Sequence, residues 1–175
     1  LTSLGSVVHA EDFSVSAEHA MAIEVTSGKI LYEQDAETPV AVGSITTLLT
    51  AYLVFEAIEE GKLSMDTQVS IGDYPYSLTG TVVSNVSLEA RSYAVQDLLS
   101  AMLITSANSP AIALAEKIAG SEPAFVDMMK AQLREWGITD AQLVNATGLK
   151  NSYLGEQVYP GSSEDEENKL SAMDV

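Results

Sequence analysis

Gly43-Ser44-Ile45-Thr46-Thr47-Leu48-Leu49-Thr50-Ala51-Tyr52 runs on through Leu53-Val54-Phe55-Glu56-Ala57-Ile58 and closes at Glu59-Glu60-Gly61. Apolar side chains fall on nearly every face of this stretch, which predicts a buried helix beginning near Ser44, with Gly61 as its left-handed stop. A serine at the head of such a helix has an ordinary explanation as an N-cap. A second stretch, Thr105-Ser106-Ala107-Asn108-Ser109-Pro110, separates an apolar helix expected over 95–104 from another over 112–119. Ser and Asn are common at helix breaks, and Pro110 suits a first turn, where a missing N–H costs nothing. Neither stretch carries a function by itself.

Outward from these helices, residues 21–25 and 30–33 read as two strands joined by Thr26-Ser27-Gly28-Lys29, a hairpin in which Gly28 is free to take positive φ. Thr38-Pro39-Val40-Ala41-Val42-Gly43 is an extended approach to the first helix. Residues 68–71 and 82–88 read as short extended pieces around a Gly/Pro/Tyr-rich stretch. Residues 121–136 form a further helix, with Ser121 as N-cap, Pro123 in the first turn, and Phe125, Met128, Met129, Leu133 and Trp136 as its apolar positions. The acidic segment 155–175 places Glu156, Glu164, Asp165, Glu166, Glu167 and Asp174 against Lys169 and reads as a solvated loop. Its last residues, 168–175, have the pattern of a helix just opening. The expectation is therefore of a chain that stops short of its domain's end.

Composition narrows the chemistry. With 175 residues, 46% apolar and 19% charged, the chain can bury a core of ordinary size. Acidic residues outnumber basic ones, 25 to 8, for a net charge of −17, which disfavours nucleic acid and anionic lipid as partners. The absence of cysteine removes disulfides, thiolate metal sites and cysteine nucleophiles. The histidines, His9 and His19, both lie near the start, so Ser-His-Asp and HExxH chemistries are nearly excluded. No metal or cofactor is implied. Hydrolytic chemistry would have to run on hydroxyls, lysines and carboxylates. Residues 1–10 are small, apolar and free of acids and lysines, with Val8 and Ala10 in the pattern of a signal cleavage site; they read either as the remnant of an export signal or as a terminus of accidental composition.

Taken together, Ser44-Ile45-Thr46-Thr47 and Ser106-Ala107-Asn108 resemble two of the three active-site boxes of penicillin-interacting serine enzymes, and most closely the low-molecular-mass D-alanyl-D-alanine carboxypeptidases, which are penicillin-binding proteins. Phe55-Glu56-Ala57-Ile58-Glu59-Glu60-Gly61-Lys62-Leu63, Asn145-Ala146-Thr147-Gly148-Leu149 and Tyr159-Pro160-Gly161 are similar to that family as well. The resemblance implies an α/β fold of the β-lactamase/transpeptidase type, an antiparallel sheet packed on a helical body, with the C-terminal strands missing and residues 11–175 as the N-terminal part of the domain. It implies an exported, extracytoplasmic protein that removes the terminal D-alanine from peptidoglycan pentapeptide through an acyl-Ser44 intermediate. Its partners would be the stem peptide ending in D-Ala-D-Ala and β-lactams, with any membrane attachment lying outside this chain.

A serine hydroxyl is a poor nucleophile until a neighbour takes its proton. At the first turn of a helix it has the positive dipole end beside it, and its own N–H can hold an oxyanion. A residue three positions on has its Cβ about 5–6 Å away, so a lysine there can serve as general base. By resemblance, Ser106 relays the proton toward the leaving group and Asn108 holds the substrate amide. The chain departs from the pattern at Thr47, where the family has Lys, and a threonine hydroxyl accepts no proton near neutral pH. The third box, Lys-Thr-Gly, is absent; Leu78-Thr79-Gly80 and Ala146-Thr147-Gly148 lack the basic residue and read as turns. An engineered change and a natural variant would both leave Thr47 as it stands.

Two other functions remain open on the sequence. A serine β-lactamase shares the first two boxes but needs a carboxylate-held deacylating water, and no residue takes that role here. A non-catalytic peptidoglycan-binding or scaffolding domain would keep a substrate-shaped cleft without turnover, and Thr47 is its best support. If the cleft is incomplete in this chain, Thr47→Lys leaves D-alanine release from a pentapeptide mimic near zero, even though a positioned general base is worth ~10²–10⁴ in rate. Near-normal release from that variant would show the cleft to be complete.

Overall fold

The computed structural model describes residues 13–81 and 84–175. The expected signal remnant at 1–10, and Val82 and Val83 of the extended piece expected at 82–88, lie outside the described residues. The opening hairpin forms as its turn chemistry predicts. Strand β1 (Ala20–Glu24) pairs antiparallel with β2 (Lys29–Gln34), with a register shift between Ala22 and Ile23. The Glu24 carboxylate accepts the Thr26 N–H at 2.9 Å and the Ser27 N–H at 2.8 Å, and Gly28 takes φ +69°.

The helical body follows the apolar runs. Helix α1 covers Thr46–Glu59, α3 Val95–Thr105, α4 Asn108–Ala119 and α5 Glu122–Glu135. Ser121 caps α5 by accepting the Ala124 N–H at 3.3 Å, and Gly61 and Gly120 take the left-handed conformation after α1 and α4. A short helix α2 (Asp73–Ser77), unanticipated in the sequence, forms in the Gly/Pro/Tyr-rich stretch. Among the described residues the strands form three separate two-stranded ladders rather than one sheet: β1 with β2, β3 (Val40–Ala41) with β6 (Lys169–Leu170), and β4 (Gln68–Ser70) with β5 (Ser92–Ala94). The mixed α/β class is as expected.

Three expectations are corrected. The helix expected to open at 168–175 is instead the β6 pairing followed by a turn, because Asn168 is tied to the start of α1: its carbonyl accepts the Val42 N–H at 3.2 Å. The helix expected over 112–119 begins at Asn108 and carries Pro110 in its first turn. The third concerns burial: the helix buried on every face at its start is α4, not α1. Residues Asn108–Ala115 of α4 are buried without exception, and α4 touches α1, α2, α3, α5 and β4. Its alanines, Ala111, Ala113 and Ala115, let those neighbours approach closely. One core cluster joins Val54 of α1, Val69 of β4, Leu98 and Met102 of α3, and Leu114 of α4; a second joins Leu53, Phe125, Met129, Leu143 and Leu170.

Helix α1 is not buried all round. Leu48, Tyr52 and Phe55 form an exposed stripe at helical spacing, at 58%, 41% and 42% exposure, and Tyr52 meets Trp136 edge-to-face at 4.8 Å. The buried side of its first turns carries threonines instead, each with a partner. Thr46 Oγ1 accepts from Asn168 Nδ2 at 3.1 Å, Thr47 donates to the Ser44 carbonyl at 2.7 Å, and Thr50 donates to the Ala146 carbonyl at 2.8 Å. A buried hydroxyl is tolerated when it is so bonded.

The segment Asn145-Ala146-Thr147-Gly148 closes on that same helix start. Gly148 sits at φ +84°, and a Cβ added there would lie 1.8 Å from the Gly43 carbonyl oxygen and 2.8 Å from Thr46 Oγ1. Glycine is therefore required by both backbone conformation and space. Gly148→Ala should cost more than about 3 kcal/mol of stability, combining strain at positive φ with displaced backbone. Thermal unfolding followed by circular dichroism checks this, and a loss below about 1 kcal/mol would mean that the contact yields easily.

Candidate active site

Ser44 lies in a single 3₁₀ turn, Gly43–Ile45, that feeds directly into α1, and it is exposed. It is not the N-cap that its position suggested. Val42 precedes the 3₁₀ turn, Ile45 precedes α1, and neither cap is closed by a side-chain hydrogen bond. The Ser44 hydroxyl is thus available at the positive end of a 14-residue helix. Thr47, one turn along, is 5% exposed. Its hydroxyl donates to the Ser44 backbone carbonyl, which stiffens the turn but offers the Ser44 hydroxyl no base.

Ser106 and Asn108 stand at the junction of α3 and α4. Ser106 ends α3 in the left-handed conformation, φ 54° and ψ 34°, which a serine adopts at a cost that glycine avoids. The following Ala107 N–H bonds back to the Ala101 carbonyl at 3.2 Å. Asn108 is buried, and its Nδ2 donates to the Ser84 carbonyl at 2.8 Å, while its backbone N–H reaches the same oxygen at 3.2 Å. Asn85 completes the clamp: its Oδ1 accepts the Ser109 N–H at 3.1 Å and its Nδ2 donates to Ser109 Oγ at 2.8 Å. These bonds satisfy the first amide donors of α4, which would otherwise be orphaned in the core. Ser84 is itself left-handed, at φ 54°. Strain is thus concentrated on both sides of the junction.

Helix α1, which the Ser44 turn feeds, packs against both α3 and α4, the two helices joined at Ser106 and Asn108. A cavity of about 230 Å³ beside the start of α1 is lined by Ile45, Leu48, Tyr52, Trp136 and Leu143 among others, and not by Ser44, Ser106 or Asn108.

The supporting residues were less visible in the sequence. Asn145 lies in a stretch read as a turn, yet its Oδ1 accepts the backbone N–H groups of Thr147 at 3.2 Å and Gly148 at 2.7 Å. Asn168, inside the acidic segment, accepts from Val144 N–H at 2.7 Å and donates to the Asn145 carbonyl at 2.8 Å. Glu122, at the start of α5, is 4% exposed, and its Oε1 accepts the Ala146 N–H at 3.0 Å. Nothing in the local pattern around Glu122 distinguishes it from a first-turn acid favoured by the helix dipole.

Burial pushes the Glu122 carboxyl up to about 7; the Ala146 N–H and the nearby Tyr74 hydroxyl oppose that rise, and the neighbouring Glu116 adds to it. The Tyr74 hydroxyl approaches without reaching hydrogen-bond geometry, and burial raises it too. Burial likewise raises Glu116, whose Oε2 lies against Gly72. The linkage has one sign. The folded chain holds the Glu122 proton more tightly than the unfolded chain, whose value is near 4.5, so this stabilisation is full below pH 4.5 and is lost as pH rises to about 7. The span corresponds to about 3 kcal/mol. Glu122→Gln should flatten the difference in stability between pH 4.5 and 7.5 measured by urea unfolding; an unchanged difference would place the titration elsewhere.

Comparison with known proteins matches these features to one family. A family model described as D-alanyl-D-alanine carboxypeptidase matches residues 6–175. The D-alanyl-D-alanine carboxypeptidase DacF of Bacillus subtilis is 34% identical over 134 residues, covering 76% of this chain and 34% of that protein. DacA of Escherichia coli K12 is 29% identical over 167 residues, 87% of this chain and 39% of that protein. The chain thus spans little more than a third of the length of these relatives. Among solved structures, a peptidoglycan synthesis regulatory factor (PBP3) from Streptococcus pneumoniae superposes with a TM-score of 0.91 at 60% identity, over 93% of this chain and 45% of that one. Penicillin-binding protein D2 from Listeria monocytogenes, in its ampicillin-bound form, gives a TM-score of 0.72 at 28% identity, over 94% of this chain and 60% of that one.

Proposed function

This chain belongs to the D-alanyl-D-alanine carboxypeptidase family, and on that premise we propose that residues 11–175 form the nucleophile-bearing N-terminal part of a penicillin-binding, serine-type carboxypeptidase domain working outside the cytoplasm. The observation that carries the reading is the exposed Ser44 in the turn that feeds α1, within a stretch matched by the family model. Its substrate would be the peptidoglycan stem peptide ending in D-Ala-D-Ala. The Ser44 hydroxyl would attack the penultimate carbonyl, forming an acyl-Ser44 ester and releasing D-alanine, and water would then regenerate the serine. The Ser44 backbone N–H, at the positive end of α1, would help hold the oxyanion. Ser106 would pass the proton to the leaving amine, and Asn108 would hold the substrate amide. β-Lactams would acylate the same hydroxyl. No helix among the described residues is long and apolar enough to cross a membrane.

Thr47 sets the rate. Its hydroxyl is directed at the Ser44 carbonyl and cannot take the Ser44 proton, so acylation would lack a positioned general base, a deficit of ~10²–10⁴. This observation favours a second reading, in which the domain holds a D-Ala-D-Ala peptide without turning it over. Fluorescent penicillin followed by mass spectrometry separates the two. Under the first reading the 175-residue chain acquires a slow adduct on Ser44 that Ser44→Ala abolishes. Under the second it gains no adduct, while calorimetry shows saturable binding of a D-Ala-D-Ala peptide with no D-alanine released. An adduct that persists in Ser44→Ala, or the absence of both adduct and binding, would overturn the assignment of Ser44.

A further inference from the structure

A second cavity, of about 430 Å³, lies between α5 and the segments 138–144 and 159–166, and is not lined by Ser44, Ser106 or Asn108. Its size is in the range of small-molecule sites. Leu133, Ile138 and Leu143 supply its apolar surface, and Lys130 and Arg134 reach it from successive turns of α5. Both cations line the same cavity. Of the chain's 8 basic residues, Lys62, Arg91 and Lys150 pair with carboxylates; among the five that make no ion pair among the described residues, Lys130 and Arg134 are the two that line this cavity. In a chain with 25 acids, two cations without an ion pair on one cavity wall, against the single lining carboxylate of Glu166, offer an anion two opposite charges.

The walls are set before any ligand arrives. Tyr159 donates its hydroxyl to Asp127 Oδ1 at 2.7 Å, and the Lys130 ammonium sits 3.6 Å from the centre of its ring. The Tyr159 carbonyl accepts from Ser162 Oγ at 2.6 Å, which fixes the Tyr159-Pro160-Gly161 turn. Glu166 also lines the cavity, but its Oε2 accepts the Ser163 N–H at 2.7 Å. A preformed wall lowers the ordering cost of binding.

We propose that this cavity binds an organic anion, its carboxylate or phosphate held by Lys130 and Arg134 and its ring or aliphatic body packed on Leu133, Ile138, Leu143 and Tyr159. The volume is more than a bare oxyanion fills, and the apolar floor contributes only if the ligand carries a body to cover it. Arg134 supplies a planar fork for the anionic head and Lys130 a point charge beside it.

Backbone-amide NMR on the 175-residue chain tests this with four probes: phenyl phosphate, phenylacetate, inorganic phosphate and benzyl alcohol. Both organic anions should shift the amides of Gln142, Leu143, Val144 and Ser162 saturably, and the tighter of the two assigns the head group. Inorganic phosphate and benzyl alcohol should each bind at least about tenfold more weakly, for want of body or charge. Lys130→Gln/Arg134→Gln should weaken the organic anions at least about tenfold with spectral dispersion retained, and the charge-keeping Lys130→Arg should preserve binding. Equal binding of inorganic phosphate or benzyl alcohol would overturn the proposal. So would unchanged binding by the double variant, or no saturable shift up to about 10 mM. In that last case the two cations serve only the end of α5, and the double variant lowers thermal stability alone.

Discussion

The close approach of Gly148 to Gly43 is the constraint on which the candidate site rests. No side chain fits between the two backbones, so the segment 145–149 lies directly against the turn that carries Ser44. Hydrogen bonds hold the contact in place. Thr50 of α1 bonds to the Ala146 carbonyl, Asn168 bridges Thr46 to the Asn145 carbonyl, and Glu122 takes the Ala146 N–H from beneath. Each of these bonds is buried, where an unpaired partner would cost the desolvation of a polar group. The start of α1 therefore behaves as one unit with residues far along the chain.

That constraint explains a helix whose first turns look inverted. Thr46, Thr47 and Thr50 face inward because hydroxyls there have fixed partners, while Leu48, Tyr52 and Phe55 face out. It also frames the departure at Thr47. Thr47 keeps the helix turn closed through the Ser44 carbonyl, and its hydroxyl accepts no proton near neutral pH. The fold needs only a side chain that fits the turn, whereas catalysis needs one with the right pKa.

The same separation runs through the electrostatics. The net charge of −17 counts every acid as ionised, yet beneath the 145–149 loop burial holds the Glu122 carboxyl up to about 7. On the outside, Lys130 and Arg134 line one cavity together with Glu166. Neither environment follows from the count of charges, because burial and juxtaposition set the local field.

Much was readable from local pattern. The hairpin around Gly28, the helices α1, α3, α4 and α5, the Ser121 cap and the glycine stops all follow from short-range rules, which act between residues a few positions apart. The family, too, is carried by short strings around Ser44 and Ser106. The rest depended on partners distant in the chain. Strand β6 replaced a helix start because Asn168 and its neighbours pair with residues near 40, and β5 exists only against β4. Helix α4 became central because its alanines admit close neighbours on every side, which hydropathy alone does not rank above the bulkier α1. The sequence by itself determined the opening hairpin, the longer helices, the family and the hydroxyl at position 47, since each is a matter of residue identity and near-neighbour spacing. Tertiary structure alone decided which helix is central, which asparagines hold the Ser44 turn, and which charges are buried or brought together, since these depend on contacts that no local rule encodes.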